Sequence, residues 1–62
     1  MVGFITKNST YMVDKQRHLV TGGVFRDKWH KYAKLKAIAG TSAIIQLETG
    51  RVVKTSIVRT YI

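Results

Sequence analysis

Apolar and polar residues alternate along most of this chain in short runs, and a two-residue period predicts β-strands. Turn-forming residues interrupt the runs at positions 7–9, 15–17, 22–23, 40–42 and 49–50. Val, Ile and Thr together account for 20 of the 62 residues. Side chains branched at Cβ suit a pleated sheet better than a helix. The pattern therefore predicts an all-β protein.

The turn spacing predicts five strands and leaves one segment undecided. The strands are Val2–Thr6, Thr10–Asp14, Arg17 or His18 to Thr21, Ala43–Glu48 and Arg51–Arg59. The last two form the clearest hairpin, because Gly50 in the turn between them can supply a positive φ. The final strand is apolar on both faces, which indicates that it curves around a barrel or is shared between two sheets.

The undecided segment, 27–38, is read as a strand rather than a helix, because its apolar residues scatter around a helix axis. In a strand, one face would carry Lys28, His30, Tyr32, Lys34 and Lys36. The other face would carry Trp29, Ala33, Leu35 and Ala37, and Lys31 alone breaks the alternation. This assignment places Trp29 in the core together with Phe4, Tyr11 and Phe25.

Five to six short antiparallel strands predict one domain, residues 1–62, folded as a small SH3-like or OB-like barrel. Closure would remove the exposed edges of so small a sheet. The longest apolar runs are three residues, so no membrane-spanning segment is expected. The segment Met1–Lys7 lacks a basic region followed by an apolar one. We therefore expect no signal peptide and a cytoplasmic protein.

Charge is the strongest compositional signal, with 11 Lys and Arg against 3 Asp and Glu and a net charge of +8. Such a surface attracts polyanions. We expect nucleic acid as the partner, with DNA favoured over RNA, and we expect no cofactor. The alternative partner is an acidic surface of a host protein, for which the lysines would steer association. The chain would act as a monomer or a homodimer.

Five of the basic residues fall within positions 26–36. On one strand face they would recur at about 6.6 Å, close to the phosphate spacing of an extended single strand. Tyr32 among them would offer a ring on which a base can stack. The predicted nucleic-acid-binding residues are Arg26, Lys28, His30, Lys31, Tyr32, Lys34, Lys36, Lys15 and Arg17. The alternative interpretation is a lysine row on an edge strand that blocks aggregation.

Catalytic chemistry has little support in the sequence. The acids are Asp14, Asp27 and Glu48, and the histidines are His18 and His30. In a strand, Asp27 and His30 would point to opposite faces, and nothing brings the two histidines to a common acid as a metal site requires. We therefore expect a non-enzymatic protein without a metal. The remaining enzymatic alternative is a small toxin-like ribonuclease that uses both histidines and a lysine.

The opening Thr6-Lys7-Asn8-Ser9-Thr10-Tyr11-Met12-Val13-Asp14 resembles that of short, uncharacterised proteins of actinobacteria and their phages. Their pattern, T-K-N-S-x-Y-x-V-D, is a turn between two strands. A Trp-Lys-x-Tyr-like segment and two C-terminal strands follow in those proteins, and here 29–32 and 44–57 match in order. This chain departs from the family in being more basic and in lacking an acidic, proline-containing middle. The resemblance implies a small β fold and a phage-related setting, and the family carries no established activity to transfer. With the basic composition, we expect a regulator or accessory factor that acts by binding nucleic acid.

Overall fold

The computed structural model describes residues 2–62 and shows six antiparallel strands in one closed barrel. The order around the barrel follows the chain, and the first strand pairs with the last to close the ring. The all-β, small-barrel prediction is confirmed. The strands are β1 (Gly3–Thr6), β2 (Thr10–Asp14), β3 (Leu19–Gly22), β4 (His30–Lys36), β5 (Ser42–Leu47) and β6 (Val52–Tyr61).

The turn between β5 and β6 has the geometry that its glycine predicts. Gly50 has φ 93°, a conformation that glycine adopts without steric cost. Its N–H donates to the carbonyl of Leu47 at 2.9 Å, and the N–H of Leu47 donates to the carbonyl of Arg51 at 2.8 Å. The predicted hairpin is confirmed.

The last strand is shared between two neighbours, as its two apolar faces indicate. Its first half pairs with β5, and from Val58 onward it pairs with β1. The β5–β6 register shifts where β6 bends, and there the Thr55 hydroxyl accepts the Ala43 N–H at 3.0 Å and donates to the Ser56 carbonyl at 2.7 Å. The buried Thr55 side chain thus replaces a backbone bond that the bend removes.

Aromatic rings pack against one another in the barrel core. The rings of Phe4 and Tyr11 stack with centroids 5.0 Å apart, and Phe25 meets Tyr11 edge-on at 6.3 Å. All three side chains are buried, as predicted. The rest of the core is Val13, Val20, Tyr32, Ala43, Ile45, Leu47, Val53 and Val58.

A β-bulge in β4 overturns part of the predicted side-chain pattern. Tyr32 pairs with Leu47 while Lys34 pairs with Gln46, so Ala33 is an extra residue in β4. One extra residue reverses which side chains face the core on one side of it. Tyr32 is therefore buried, and the prediction that it shares a face with the lysines is wrong. Lys31, which broke the predicted alternation, points outward.

Trp29 lies outside the core, so the prediction that it is a core residue is wrong as well. Its side chain is 53% exposed. Strand β4 begins only at His30, so the strand alternation does not extend back to Trp29. The preceding backbone is fixed instead by the buried Thr21, whose hydroxyl donates to the Lys28 carbonyl at 2.7 Å. Leu35 and Ala37, beyond the bulge, pack against the core as predicted.

The segment after β3 contains the main backbone irregularity. A single 3₁₀ turn, Gly23–Phe25, follows Gly22, and a Cβ on Gly23 would overlap the Tyr11 ring. Arg26 then has φ 60° and ψ −122°, a backbone conformation that residues other than glycine rarely adopt. The Arg26 carbonyl accepts the Gly22 N–H at 2.8 Å, and this bond holds the residue there.

We predict that Arg26→Gly is more stable than Arg26→Ala by about 1 kcal/mol, because glycine relieves the strain that alanine keeps. Both variants lose the same charge, so each is the control for the other. Denaturant unfolding monitored by circular dichroism measures the difference. Equal stabilities, or a more stable alanine variant, would show that this backbone conformation carries no strain.

Candidate nucleic-acid interface

Three lysines form a row on the outer face of β4. Lys31, Lys34 and Lys36 are all exposed. Lys31 pairs with Leu19 on β3, whereas Lys34 and Lys36 pair with Gln46 and Ile44 on β5. Lys31 and Lys34 are three residues apart in the sequence. Because Ala33 is an extra residue, they lie only about two strand positions apart on the outer face. We call these three side chains the lysine row.

A shallow groove lies beside the second half of the lysine row. It has a volume of about 530 Å³ and is lined by Lys34, Leu35, Lys36, Ile44, Gln46 and Val52. Ile44 also pairs with Lys54 on β6, so Lys36, Ile44 and Lys54 follow one another across three strands. The groove therefore combines an apolar floor with ammonium groups around it.

The other predicted basic residues lie in two loops near the start of β4. Lys15 and Arg17 are exposed in the turn between β2 and β3. In this turn the Asp14 carboxylate accepts a hydrogen bond from the backbone N–H of Arg17 at 3.1 Å. Arg26 and Lys28 are exposed in the segment that leads into β4. The two loops lie at the two ends of β3, the strand that pairs with His30 and Lys31 of β4.

Tyr32 and the two histidines are engaged in packing. The ring of His18 stacks on the Tyr32 ring with centroids 5.3 Å apart and planes 16° apart, and only 7% of Tyr32 is exposed. His30 is half-buried with its ring 4.8 Å from that of Phe25. A base cannot lie on Tyr32 while His18 covers it, so the structure gives no support to Tyr32 as a stacking platform.

Trp29 is the aromatic side chain that the sequence analysis missed as a candidate ligand surface. It lines a recess of about 290 Å³ together with Asp14, Arg17 and Leu19. Leu19 pairs directly with Lys31, so the recess adjoins the lysine row. The flanking charges of Lys28 and Lys31 are the sequence signal that could have identified this position.

Edge protection explains only part of the lysine row. Strand β4 pairs with β3 at His30 and Lys31, and with β5 at Tyr32 and residues 34–36. Lys34 and Lys36 thus lie where the pairing involves one neighbour, and lysine there would also deter another chain from pairing. Lys31 lies where β3 is already paired, so that reason does not apply to it.

Within residues 2–62, no group of three or more His, Cys, Asp or Glu side chains is placed to hold a metal ion. No helix in this part of the chain has the length and apolar character to cross a bilayer.

Comparison of this chain with family models, with curated proteins and with solved structures found no match.

The position of Tyr32 has a measurable consequence at alkaline pH. Burial raises the pKa of Tyr32 above its ordinary value of 10.0, and the negative charge of Asp14 raises it further. Well below pH 10 the phenol is neutral whether the chain is folded or unfolded. As the pH rises from that value to the raised pKa of the folded state, the unfolded chain loses the proton first. The free energy of unfolding therefore falls over this range.

We predict that Tyr32→Phe reduces this alkaline loss of stability. Denaturant unfolding between about pH 8 and about pH 11 measures it in both proteins. Every other ionisable group is common to the two proteins, so the difference between the two curves isolates the Tyr32 phenol. Superimposable curves would mean that the Tyr32 phenol ionises as readily in the folded chain as in the unfolded one.

Proposed function

We propose that this protein is a non-enzymatic nucleic-acid-binding protein that acts by occupying DNA through the outer face of β4. The observation that carries the proposal is the lysine row, Lys31, Lys34 and Lys36, aligned on one strand of a barrel with a net charge of +8. Ammonium groups attract phosphates of any sequence and release their counterions.

The spacing of the row supports an extended backbone as its target. Successive outward side chains of a strand are about 6.6 Å apart. The phosphates of an extended single strand recur at a similar distance, so each lysine can meet one phosphate. The basic residues of the two flanking loops, Lys15, Arg17, Arg26 and Lys28, extend the positive surface beyond the start of the row.

The biological setting belongs to the same proposal. The opening at 6–14 resembles actinobacterial and phage proteins, and with the basic surface it supports a phage-related regulator or accessory factor in the cytoplasm. The SH3-like or OB-like class of the barrel stays a prediction. A matched pair of DNA and RNA oligonucleotides tests the expected preference for DNA.

We predict that replacing Lys34 and Lys36 by Ala weakens DNA binding and makes the slope of log K against log salt shallower by about 1.5 to 2 units. Fluorescence polarisation across a salt series measures both quantities. If about five basic residues each neutralise a phosphate, the wild-type slope is near −4.

The control is a second variant with the same loss of charge, Lys7→Ala with Arg59→Ala. Lys7 follows β1, and Arg59 lies on β6 where that strand pairs with β1. Strand β1 is three positions from β4 in either direction around the ring. A control variant that changes the slope as much as Lys34→Ala with Lys36→Ala would show that only net charge matters, and the site assignment would be wrong.

The groove beside the row favours a second candidate function. Val52 is 59% exposed and Ile44 38% exposed, and lysines border both. A protein segment that carries acidic and apolar side chains would complement such a surface, because charge steers the encounter and apolar burial gives affinity. In this alternative the protein is an interaction module that binds an acidic surface of a host protein.

We predict that Ile44→Thr with Val52→Thr separates the two functions. The double variant keeps every charge, and threonine suits a strand, so DNA affinity should stay within about twofold. Binding of a synthetic peptide that alternates Glu with Leu should weaken if the groove is a protein site. An unchanged peptide affinity alongside weakened DNA binding would instead assign the groove floor to DNA.

A further inference from the structure

We infer that the recess at Trp29 binds one unpaired base of a single-stranded nucleic acid, with preference for a base that carries an exocyclic amino group. This inference rests on the proposed function and names the form of nucleic acid that the surface takes. Its components are the exposed indole of Trp29, the apolar floor at Leu19, the Asp14 carboxylate and the side chain of Arg17.

The indole has the exposure and the support that a stacking platform needs. About half of the Trp29 surface is open to solvent, although an indole ring gains free energy by burial. The backbone just before it is fixed by the buried Thr21 hydroxyl at the Lys28 carbonyl, and by the Lys28 N–H donating to the Phe25 carbonyl at 3.2 Å. The backbone that carries the ring is thus already held by hydrogen bonds, so ligand binding would not have to order that segment.

The recess differs in charge from the surface around it. Its lining carries one acidic and one basic side chain, Asp14 and Arg17, so it lacks the net positive charge of the lysine row and attracts phosphate less than the row does. The Asp14 carboxylate is the group that would recognise a base. It accepts hydrogen bonds from an amino group such as N4 of cytosine. One carboxylate oxygen already accepts the Arg17 N–H, which keeps Asp14 beside the recess.

The position of the recess fits a strand whose backbone follows β4. Lys31 pairs with Leu19, on the recess floor, and Lys34 and Lys36 continue the row away from it. A nucleotide whose phosphate meets Lys31 would have its base within reach of Trp29. In a duplex the bases stack on one another, so their faces are not accessible to such a ring. Unpaired bases can stack on it.

Trp29 is the only tryptophan of the chain, so intrinsic fluorescence reports on this recess directly. The experiment titrates the full chain with short oligodeoxycytidine, oligothymidine, duplex DNA and inorganic polyphosphate. Fluorescence polarisation of labelled oligonucleotides gives affinities independently of the indole. We expect oligodeoxycytidine to quench Trp29 and duplex DNA and polyphosphate to leave its emission nearly unchanged.

Three variants complete the test. Trp29→Ala should weaken oligodeoxycytidine binding about 5- to 150-fold while duplex affinity stays within about twofold. Ile57→Ala, which removes an exposed apolar side chain from β6, should change neither. We expect the wild-type protein to bind oligodeoxycytidine about fivefold more tightly than oligothymidine. Asp14→Asn keeps an oxygen that can accept the Arg17 backbone N–H, and it should lower this affinity ratio toward one. Circular dichroism checks that each variant folds.

The outcomes distinguish this inference from the proposed function. Salt-dependent DNA binding with unchanged Trp29 emission and an unaffected Trp29→Ala variant would overturn the inference and leave the lysine row standing. Equal quenching by polyphosphate would show that the recess responds to charge, which also overturns it. Equal affinity for the two pyrimidine oligonucleotides would overturn the amino-group preference. Failure of the folded protein to bind any nucleic acid at low salt would end the proposed function itself.

Discussion

The extra residue at Ala33 is the constraint on which both the core and the candidate interface depend. It puts Tyr32 inside the barrel and leaves Lys31, Lys34 and Lys36 outside, so it creates the core and the charged surface together. Without the bulge, either Tyr32 would face solvent or the lysines beyond it would face the core. Burial of a lysine without a partner is far more costly than a local break in pairing, so the bulge is the favourable solution.

Two other backbone irregularities, at Thr55 and at Gly23, help the six strands to close into a barrel. Strand β6 bends at Thr55, and the hydroxyl of that residue satisfies the Ala43 N–H that the bend leaves without a backbone partner. The segment after β3 turns sharply through Gly23 because only a residue without Cβ fits against the Tyr11 ring. Each device lets a short chain curve around a small core while its polar backbone groups stay paired.

The proposed nucleic-acid interface combines two kinds of attraction that act over different ranges. The net charge of +8 acts at the range of the Debye length and has no sequence preference. In the inferred complex, the recess of Trp29 and Asp14 would act only at contact, and its contribution would depend on whether a base is free to enter it. In the proposed arrangement the lysine row supplies the first and the recess the second, on adjoining parts of β4 and β3.

The amino-acid sequence by itself determined the all-β class, the strand-turn order, the β5–β6 hairpin and the core aromatics Phe4, Tyr11 and Phe25. These follow from local alternation and turn residues, which need no knowledge of neighbouring strands. Only the tertiary structure decided the faces of β4. The two-residue period does not reveal a bulge, so counting through Ala33 put Tyr32 on the wrong face. Extending the strand back past His30 put Trp29 in the core, although it lies before β4 and is exposed. Which ring is buried depends on what lies opposite it, and for Tyr32 that is His18 and the interior of the closed barrel.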